Sequence, residues 1–418
     1  MPLALNRRQV LASGLALTAA ANIPAVARAT ASGSAPAINH KLPDVVVVGA
    51  GAFGAWTALE LRERGARVTL VDAYGCGNPR ASSGGESRNI QFAYGDKEIY
   101  VRWAVDAWRL WHQRQEEFGR RLIFDSGSLR ARPRAVLDID AAMFDKLKLP
   151  YEMLSPREAT YRWPQLRYED VEAIFYEKDS GIMKARDTLI AVSEVFIRKG
   201  GEVKLGYATP GAAASGRLNT VLINGEALPA GRFVFACGPW LPQVFPTLLG
   251  DRIKVPRREL FFIGPARDDQ RYRWEHCPTL SDATLYTSSD IGGGVKIAPS
   301  LRDVRMDPDD GERLPTPFLK QQVDGYVARR LPGLVGRPVL STHVCQLERT
   351  DNDDYIIDIH PDYANTLIAG GGSGHAFKMG PVLGRHLADV CLGGALASPL
   401  QTIFALAAHK AVPAGGGW

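Results

Sequence analysis

Apolar positions in this chain fall into short continuous runs that suit buried strands and into stripes of 3.6-residue period that suit helices. Val45, Val46, Val47 and Val48 form the clearest run, the pattern of a strand buried on both faces. Gly49, Gly51 and Gly54 follow at G-x-G-x-x-G spacing, with Ala52 and Phe53 between the last two. A helical stretch at 55–64 comes next, then Gly65 as a C-cap, and a second apolar run at 68–71 ends at Asp72. This is a βαβ unit with an acid 18 positions after its last glycine, the arrangement that binds an adenine dinucleotide. Gly49 permits the tight turn, Gly51 the approach of the pyrophosphate, and Gly54 the packing of helix on strand. Free N–H groups at the helix start suit phosphate, and Asp72 suits a ribose hydroxyl.

The pattern continues beyond this unit. Positions 97–118 read as one long helix, with Tyr100, Trp103, Ala104, Ala107, Trp108 and Trp111 on a single face. That stripe is read as core. A helix is expected at 188–197, and strands at 202–205, 232–236, 260–263, 295–298 and 366–369. The last of these enters Gly370-Gly371-Gly372-Ser373-Gly374, and a helix follows at 380–391. A dinucleotide domain drawn from the beginning, middle and end of the chain is implied, with a substrate domain from the segments between. The boundaries assign 43–90, 180–250 and 340–395 to the first, and 91–179 and 251–339 to the second.

The ends differ from the middle. Arg7-Arg8 precede an apolar segment at 10–21, and Ala27-Arg28-Ala29 offers small residues for a signal peptidase. Residues 1–29 therefore read as a twin-arginine-type export signal, too short and too rich in Ala and Gly to span a membrane well. That route carries folded proteins, which suits one loaded with its cofactor in the cytoplasm, and implies a periplasmic or secreted protein. Residues 30–42 read as a linker and 396–418 as a C-terminal tail.

Composition narrows the class. The chain has 418 residues, 45% of them hydrophobic and 23% charged, enough for two domains. Without residues 1–29, which hold three arginines and no acid, the net charge falls from +5 to +2. No basic patch suggests nucleic acid, and nothing after residue 29 suggests membrane insertion. Cys76, Cys237, Cys277, Cys345 and Cys391 are odd in number and widely spaced, which argues against a disulfide framework. Asp351, Asp353 and Asp354 lack the spacing of a calcium loop, and no metal site is expected.

Several motifs in fixed order resemble a known family. They are the opening βαβ unit with Asp72-Ala73, Ser82-Ser83-Gly84-Gly85-Glu86-Ser87-Arg88, Gly292-Gly293-Gly294-Val295-Lys296-Ile297, Val344-Cys345, and Ser373-Gly374-His375-Ala376-Phe377-Lys378. Over nearly all of 43–395 the chain resembles the flavin-dependent amine oxidases typified by monomeric sarcosine oxidase, N-methyltryptophan oxidase and the fructosyl amino-acid oxidases. The resemblance implies an α/β fold, with a Rossmann-like FAD-binding domain of the glutathione-reductase type interleaved with an α+β substrate domain containing a mixed or antiparallel sheet. It implies FAD joined through the Cys345 thioether, and Gly85, Ser87, Arg88, Gly238 and Gly374 in contact with it. Lys296 matches the lysine where oxygen reacts, Arg88 the arginine against the flavin, and His375 and Lys378 the residues beside the pyrimidine ring and substrate. Gln91, Tyr286, Leu347 and Lys378 are expected in the substrate pocket.

The implied reaction is oxidation of a carbon–nitrogen bond in a small amine. FAD takes two electrons, the imine hydrolyses, and O2 returns the flavin to its oxidised state with release of hydrogen peroxide. Departures from the family pattern reshape the pocket. Gln91 stands where a carboxylate-binding arginine is expected and cannot supply a charged fork. Leu347 replaces an aromatic residue, and Ser83 and Gly84 replace a histidine pair. Alternatives are a dehydrogenase of the same fold that passes electrons to a quinone or carrier and a non-catalytic flavin-bearing protein; an NAD-dependent enzyme, which the opening motif alone would allow, has no use for the Cys345 and Lys378 motifs.

Overall fold

In the computed structural model the residues described are 36–39, 41–299, 304–394 and 399–411, all within one compact unit, Ala35–Trp418. The expected export signal lies outside the described residues. Val45–Val48 is a central strand of a six-stranded sheet, flanked in parallel by Val68–Asp72 and Arg232–Phe235. Glu202–Leu205 extends the sheet on one side, and Thr366–Gly370 on the other. Ile356–Ile359 closes that side and is antiparallel. The valines explain the position. Val45 and Val47 face one apolar cluster, while Val46 and Val48 face another, and none is more than 4% exposed.

Helices Ala52–Glu63, Glu98–Phe118, Ala185–Arg198 and Gly380–Cys391 contribute to the first cluster. The aromatic stripe is core: Tyr100, Trp103 and Trp111 are buried there, and Trp108 packs against it. A three-stranded antiparallel sheet, Ala208–Pro210, Thr220–Ile223 and Glu226–Pro229, contributes to the opposite cluster.

A second, mixed sheet has eight strands. In spatial order they are Val339–Gln346, Arg257–Ile263, Val295–Pro299, Leu285–Ser288, Thr279–Ser281, Ser128–Ala131, Ile174–Glu177 and Glu152–Leu154. Helix Pro317–Arg330 covers one face of this sheet through Leu319, Val323, Tyr326 and Val327. A small sheet of Ser87–Ile90, Gly181–Lys184 and Ile123–Phe124 joins segments from the two halves of the molecule.

Three expectations require correction. Val339–Gln346, which carries Cys345, pairs with Arg257–Ile263 in the eight-stranded sheet, so the segment 340–395 is shared between the two sheets. The end of the expected linker docks on the fold: Asn39 N donates to Gly65 O at 2.9 Å, and Arg62 donates to Pro36 O. The expected tail is structured over 399–411. Phe404 is fully buried against Trp103 and Tyr355, and His409 Nε2 lies 3.0 Å from Tyr355 O. The tail's apolar side chains, Phe404 and Leu406 among them, were enough to bury it.

Helix Gly380–Cys391 packs on helix Ala52–Glu63 at a close crossing. A Cβ on Gly384 would lie 2.7 Å from Trp56 O and 2.9 Å from Trp56 Cβ. Gly384→Ala is expected to cost about 1–3 kcal/mol through forced separation of the helices. Urea unfolding of wild type and variant measures it, and an unchanged midpoint contradicts the packing described.

Candidate functional site

The carboxyl ends of the parallel strands open on a cavity of about 340 Å³. Its wall includes Gly49, Gly51, Ala52 and Phe53 from the first turn, Asp72 and Ala73 from the next strand, and Gly238, Leu347, Glu348 and Gly374 from later segments. Gly49 has φ +100°, and a Cβ there would stand 2.3 Å from Ala236 O. Only glycine lets the turn lie this close to the neighbouring strand. Helix Ala52–Glu63 begins at the cavity, so its first N–H groups are directed where an anionic group would sit. Gly54 stands behind this wall as a packing residue, where a Cβ would collide with Gly49 O.

Asp72 does more than face the cavity. Its Oδ2 accepts from Ala50 N at 2.7 Å and its Oδ1 from Tyr74 N at 2.8 Å. Burial raises its pKa, and these N–H groups oppose the rise. The carboxylate thus clamps the glycine turn.

Glu348 was not anticipated from the sequence. It is 6% exposed, and its Oε2 has no hydrogen-bond partner. Burial pushes its pKa up to about 7 against the pull of the Gly372 and Gly371 N–H groups. Its one sequence signal is its place three residues after Cys345.

A second cavity, of about 420 Å³, adjoins the first. Arg88, Gly374 and Phe377 line both. Gln91, Tyr286, His375 and Lys378 line the second. Gly85, before the Arg88 strand, lies close to that side chain, a Cβ there falling 3.0 Å from Arg88 Nη1. Arg88 donates to Ser87 O at 2.6 Å and also to Ser82 O, which fixes the guanidinium between the cavities.

Lys378 is 5% exposed, with Nζ 3.4 Å from Gln91 O and 4.6 Å from the Tyr94 ring centre. Burial pushes it down to about 7, nearby Glu177 opposes that, and Arg130 adds to it. Glu177, also buried, is pushed up to about 7 by burial while its Oε2 accepts from Phe92 N at 2.6 Å. Trp111 of the aromatic stripe donates to Lys378 O at 2.7 Å and so anchors this lysine to the core.

His375 lines the second cavity beside Lys378, and the protein holds both of its ring nitrogens. Its Nε2 lies 2.8 Å from Asp353 O and its Nδ1 2.9 Å from Tyr355 OH. A carbonyl cannot donate, so Nε2 carries the proton and Nδ1 accepts from the tyrosine. Burial lowers its pKa to about 3, which keeps the ring neutral. Both nitrogens serve the protein, and His375 positions the loop that carries Lys378.

Ser87, Lys296 and Cys345 stand behind the cavity walls. Lys296 is 1% exposed and donates to Ser87 O at 3.0 Å, with Nζ 5.1 Å from the Tyr286 ring centre. Burial, helped by Arg88, holds its pKa well below the ordinary lysine range. Cys345 packs with Leu260, Phe262 and Ala298 against Tyr286, which faces the second cavity. Burial raises the thiol pKa, while Arg88, Arg258, Lys296 and Arg313 pull it down.

The FAD dependent oxidoreductase family matches residues 44–390. The chain belongs to that family. It is 28% identical over 373 residues to a monomeric sarcosine oxidase from Streptomyces avermitilis, covering 85% of this chain and 95% of the relative. An N-methyl-L-tryptophan oxidase from Salmonella typhimurium is also 28% identical over 373 residues, covering 84% and 95%. The L-proline dehydrogenase from P. horikoshii shares the fold, with a TM-score of 0.76, 20% identity and coverage of 89% and 97%.

This oxidoreductase has the α/β architecture expected, a Rossmann-like FAD-binding sheet with a mixed sheet beside it. Its residues fit FAD. The glycine turn and helix start suit the pyrophosphate, and the unpartnered Glu348 oxygen in the cavity wall awaits a partner from outside the protein.

Glu348 also gives a stability prediction. Its folded pKa lies above the unfolded glutamate value, so the unfolded chain ionises first as pH rises. Its contribution is fully present below about pH 4.5 and is lost as pH rises through about 7. In cofactor-free protein at pH 8, Glu348→Gln should therefore be more stable than wild type by up to about 3 kcal/mol. The gap should close as the pH is lowered toward 4.5. Urea midpoints across that range test it, and a gap that widens on acidification refutes it.

Proposed function

We propose that this oxidoreductase oxidises the carbon–nitrogen bond of a secondary amine or N-substituted amino acid to an imine. Water then hydrolyses the imine to a carbonyl compound and an amine, and O2 is reduced to hydrogen peroxide. The observation that carries the reading is the junction of the two cavities at Arg88, Gly374 and Phe377. It sets a polar chamber holding Lys378 and Gln91 against the dinucleotide cavity. FAD, when bound, supplies the two-electron acceptor.

The chain's own residues do the rest. Lys378 can hold a carboxylate or orient an amine, and its lowered pKa lets it do so without a permanent unpaired charge. Arg88, fixed by two carbonyls, supplies a constant positive charge at the junction. Tyr94, Tyr286 and Phe377 make part of the chamber wall aromatic and restrict water. Lys296 is a buried amine aligned by Ser87, suited to take or hold a proton where negative charge develops on oxygen.

Two finer parts belong to the same proposal. Cys345 carries the FAD through a thioether: burial raises its thiol pKa, and Arg88, Arg258, Lys296 and Arg313 beside it oppose that rise. Residues 1–29 direct twin-arginine export to the periplasm or outside the cell, on the strength of Arg7-Arg8, the apolar segment and Ala27-Arg28-Ala29. Fractionation of cells making wild type and the Arg7→Lys, Arg8→Lys double variant tests export, and equal export of both refutes that route.

The reaction is tested by mixing purified protein anaerobically with secondary amines and N-substituted amino acids. Loss of flavin colour, followed by peroxide on admitting air, is expected; failure across both classes refutes the reading. Lys296→Met should still be reduced by substrate but react with O2 about 100-fold more slowly or worse. Stopped-flow measurement of both half-reactions checks it, and unaltered reoxidation removes Lys296 from the oxygen step. Acid-precipitated wild type should retain yellow flavin and Cys345→Ser should release it; release from both dismisses the tether.

A further inference from the structure

Strands Ser128–Ala131 and Thr279–Ser281 run parallel, with Thr279 opposite Ser128 and Ser281 opposite Arg130. Side chains alternate between faces along a strand. Ser128 and Arg130 therefore share a face with Thr279 and Ser281, and Arg132, just past the strand end, joins them on the wall of the second cavity. Leu129, Ala131 and Leu280 point the other way, into the apolar cluster of this sheet.

The two arginines are not equivalent. Arg130 Nε lies 2.8 Å from Asp140 Oδ2, and the second Asp140 oxygen accepts from Gly95 N at 2.8 Å. Arg132 donates to Ala131 O at 2.9 Å and has no ion pair among the described residues. Burial and the proximity of Arg130 push it down to about 10. Asp282, the acid on this wall, is engaged by Arg330 Nε at 3.4 Å and Arg329 Nη2 at 3.5 Å. The wall thus carries Arg88, Arg130, Arg132 and Lys378 against a single carboxylate. A partly buried guanidinium without a counter-ion is unfavourable until an anion arrives.

We propose that Arg132 anchors a carboxylate of the substrate, so that acid recognition has moved from the position of Gln91 to the end of the Ser128–Ala131 strand. The substrate class is then an amine that bears a carboxylate. Its acid group accepts the two-pronged N–H fork of Arg132, and the hydroxyl of Ser281 is on the same face to complete its shell. The amine part of this inference rests on the proposed C–N oxidation; the anion site does not.

The test is calorimetric titration of the purified full-length holoenzyme with succinate and with succinamide, its neutral analogue, while flavin absorption is followed. Wild type should bind succinate and not succinamide, and Arg132→Gln should weaken succinate at least tenfold. Arg132→Lys, which keeps the charge and loses the fork, should fall between them and serves if the glutamine variant does not fold. Absence of succinate binding to wild type, or equal binding by wild type and the Arg132 variants, overturns the proposal. Arg132-dependent succinate binding in a protein that no amine reduces would support the anchor and refute the oxidation reading. Amine oxidation with binding indifferent to Arg132 would do the reverse.

Discussion

The close approach of the Gly49 turn to Ala236 is the constraint on which the site depends. Gly49 N donates to Val71 O at 2.7 Å, and Ala236 N donates to Val48 O at 2.7 Å, so three strands are tied together where they end. No side chain fits at Gly49, since a Cβ would overlap Ala236 O. The Asp72 carboxylate then holds Ala50 N and Tyr74 N, which locks the turn from its other side. A sheet buried on both faces has no freedom to adjust around this point. The dinucleotide cavity opens beyond the strand ends because the backbone there is too tightly drawn to fill the space.

The electrostatics of the two cavities follow from what the fold buries. Lys296 and Lys378 are almost inaccessible, and neither has a carboxylate at ion-pair distance among the described residues. Arg88 rests on carbonyl oxygens rather than acids. Burial without a counter-ion depresses the pKa of an amine, which is the direction found for both lysines. A protein selected only for stability would pair these groups or replace them with apolar ones. Their persistence around one junction indicates that negative charge arrives with what the site binds. Glu348, in the wall of the first cavity, complements them, since burial holds its carboxyl up near neutrality and it can be protonated when a bound group requires a donor.

The parts legible in the sequence were those governed by local pattern. Four valines, three spaced glycines and Asp72 specify the opening βαβ unit, and the structure differs in running the helix from Ala52 to Glu63. The long aromatic helix differs from expectation by one residue, and helix Gly380–Cys391 does not differ at all. The helix starting at Ala185 was expected to start later, because its N-cap, Lys184, gives no side-chain capping signal. The mixed sheet was only partly legible. Glu152–Leu154, Thr279–Ser281 and Ser128–Ala131 are three or four residues long, too short for periodicity to stand out. Ser128, Arg130 and Arg132 do alternate with Leu129 and Ala131, but polar residues on a period of two usually face solvent. Only the tertiary fold turns that face toward a cavity.

The core and the site are one construction. Tyr355 stacks against His375 at 4.9 Å between ring centres and donates to its Nδ1, while its own carbonyl contacts His409. Phe404 and Trp103 pack on the same tyrosine. Trp111, on the helix that carries Trp103, holds the carbonyl of Lys378. The loop from Gly374 to Lys378 is therefore gripped from both sides: His375 at its start by the tyrosine network, and Lys378 at its end by the aromatic helix. Rotation of either would break a buried hydrogen bond, a cost larger than an exposed loop would meet. Aromatic residues that serve as core thus fix the position of the lysine on which substrate orientation depends. The described C-terminal residues, by burying Phe404 beside Tyr355, reinforce that grip from outside both sheets.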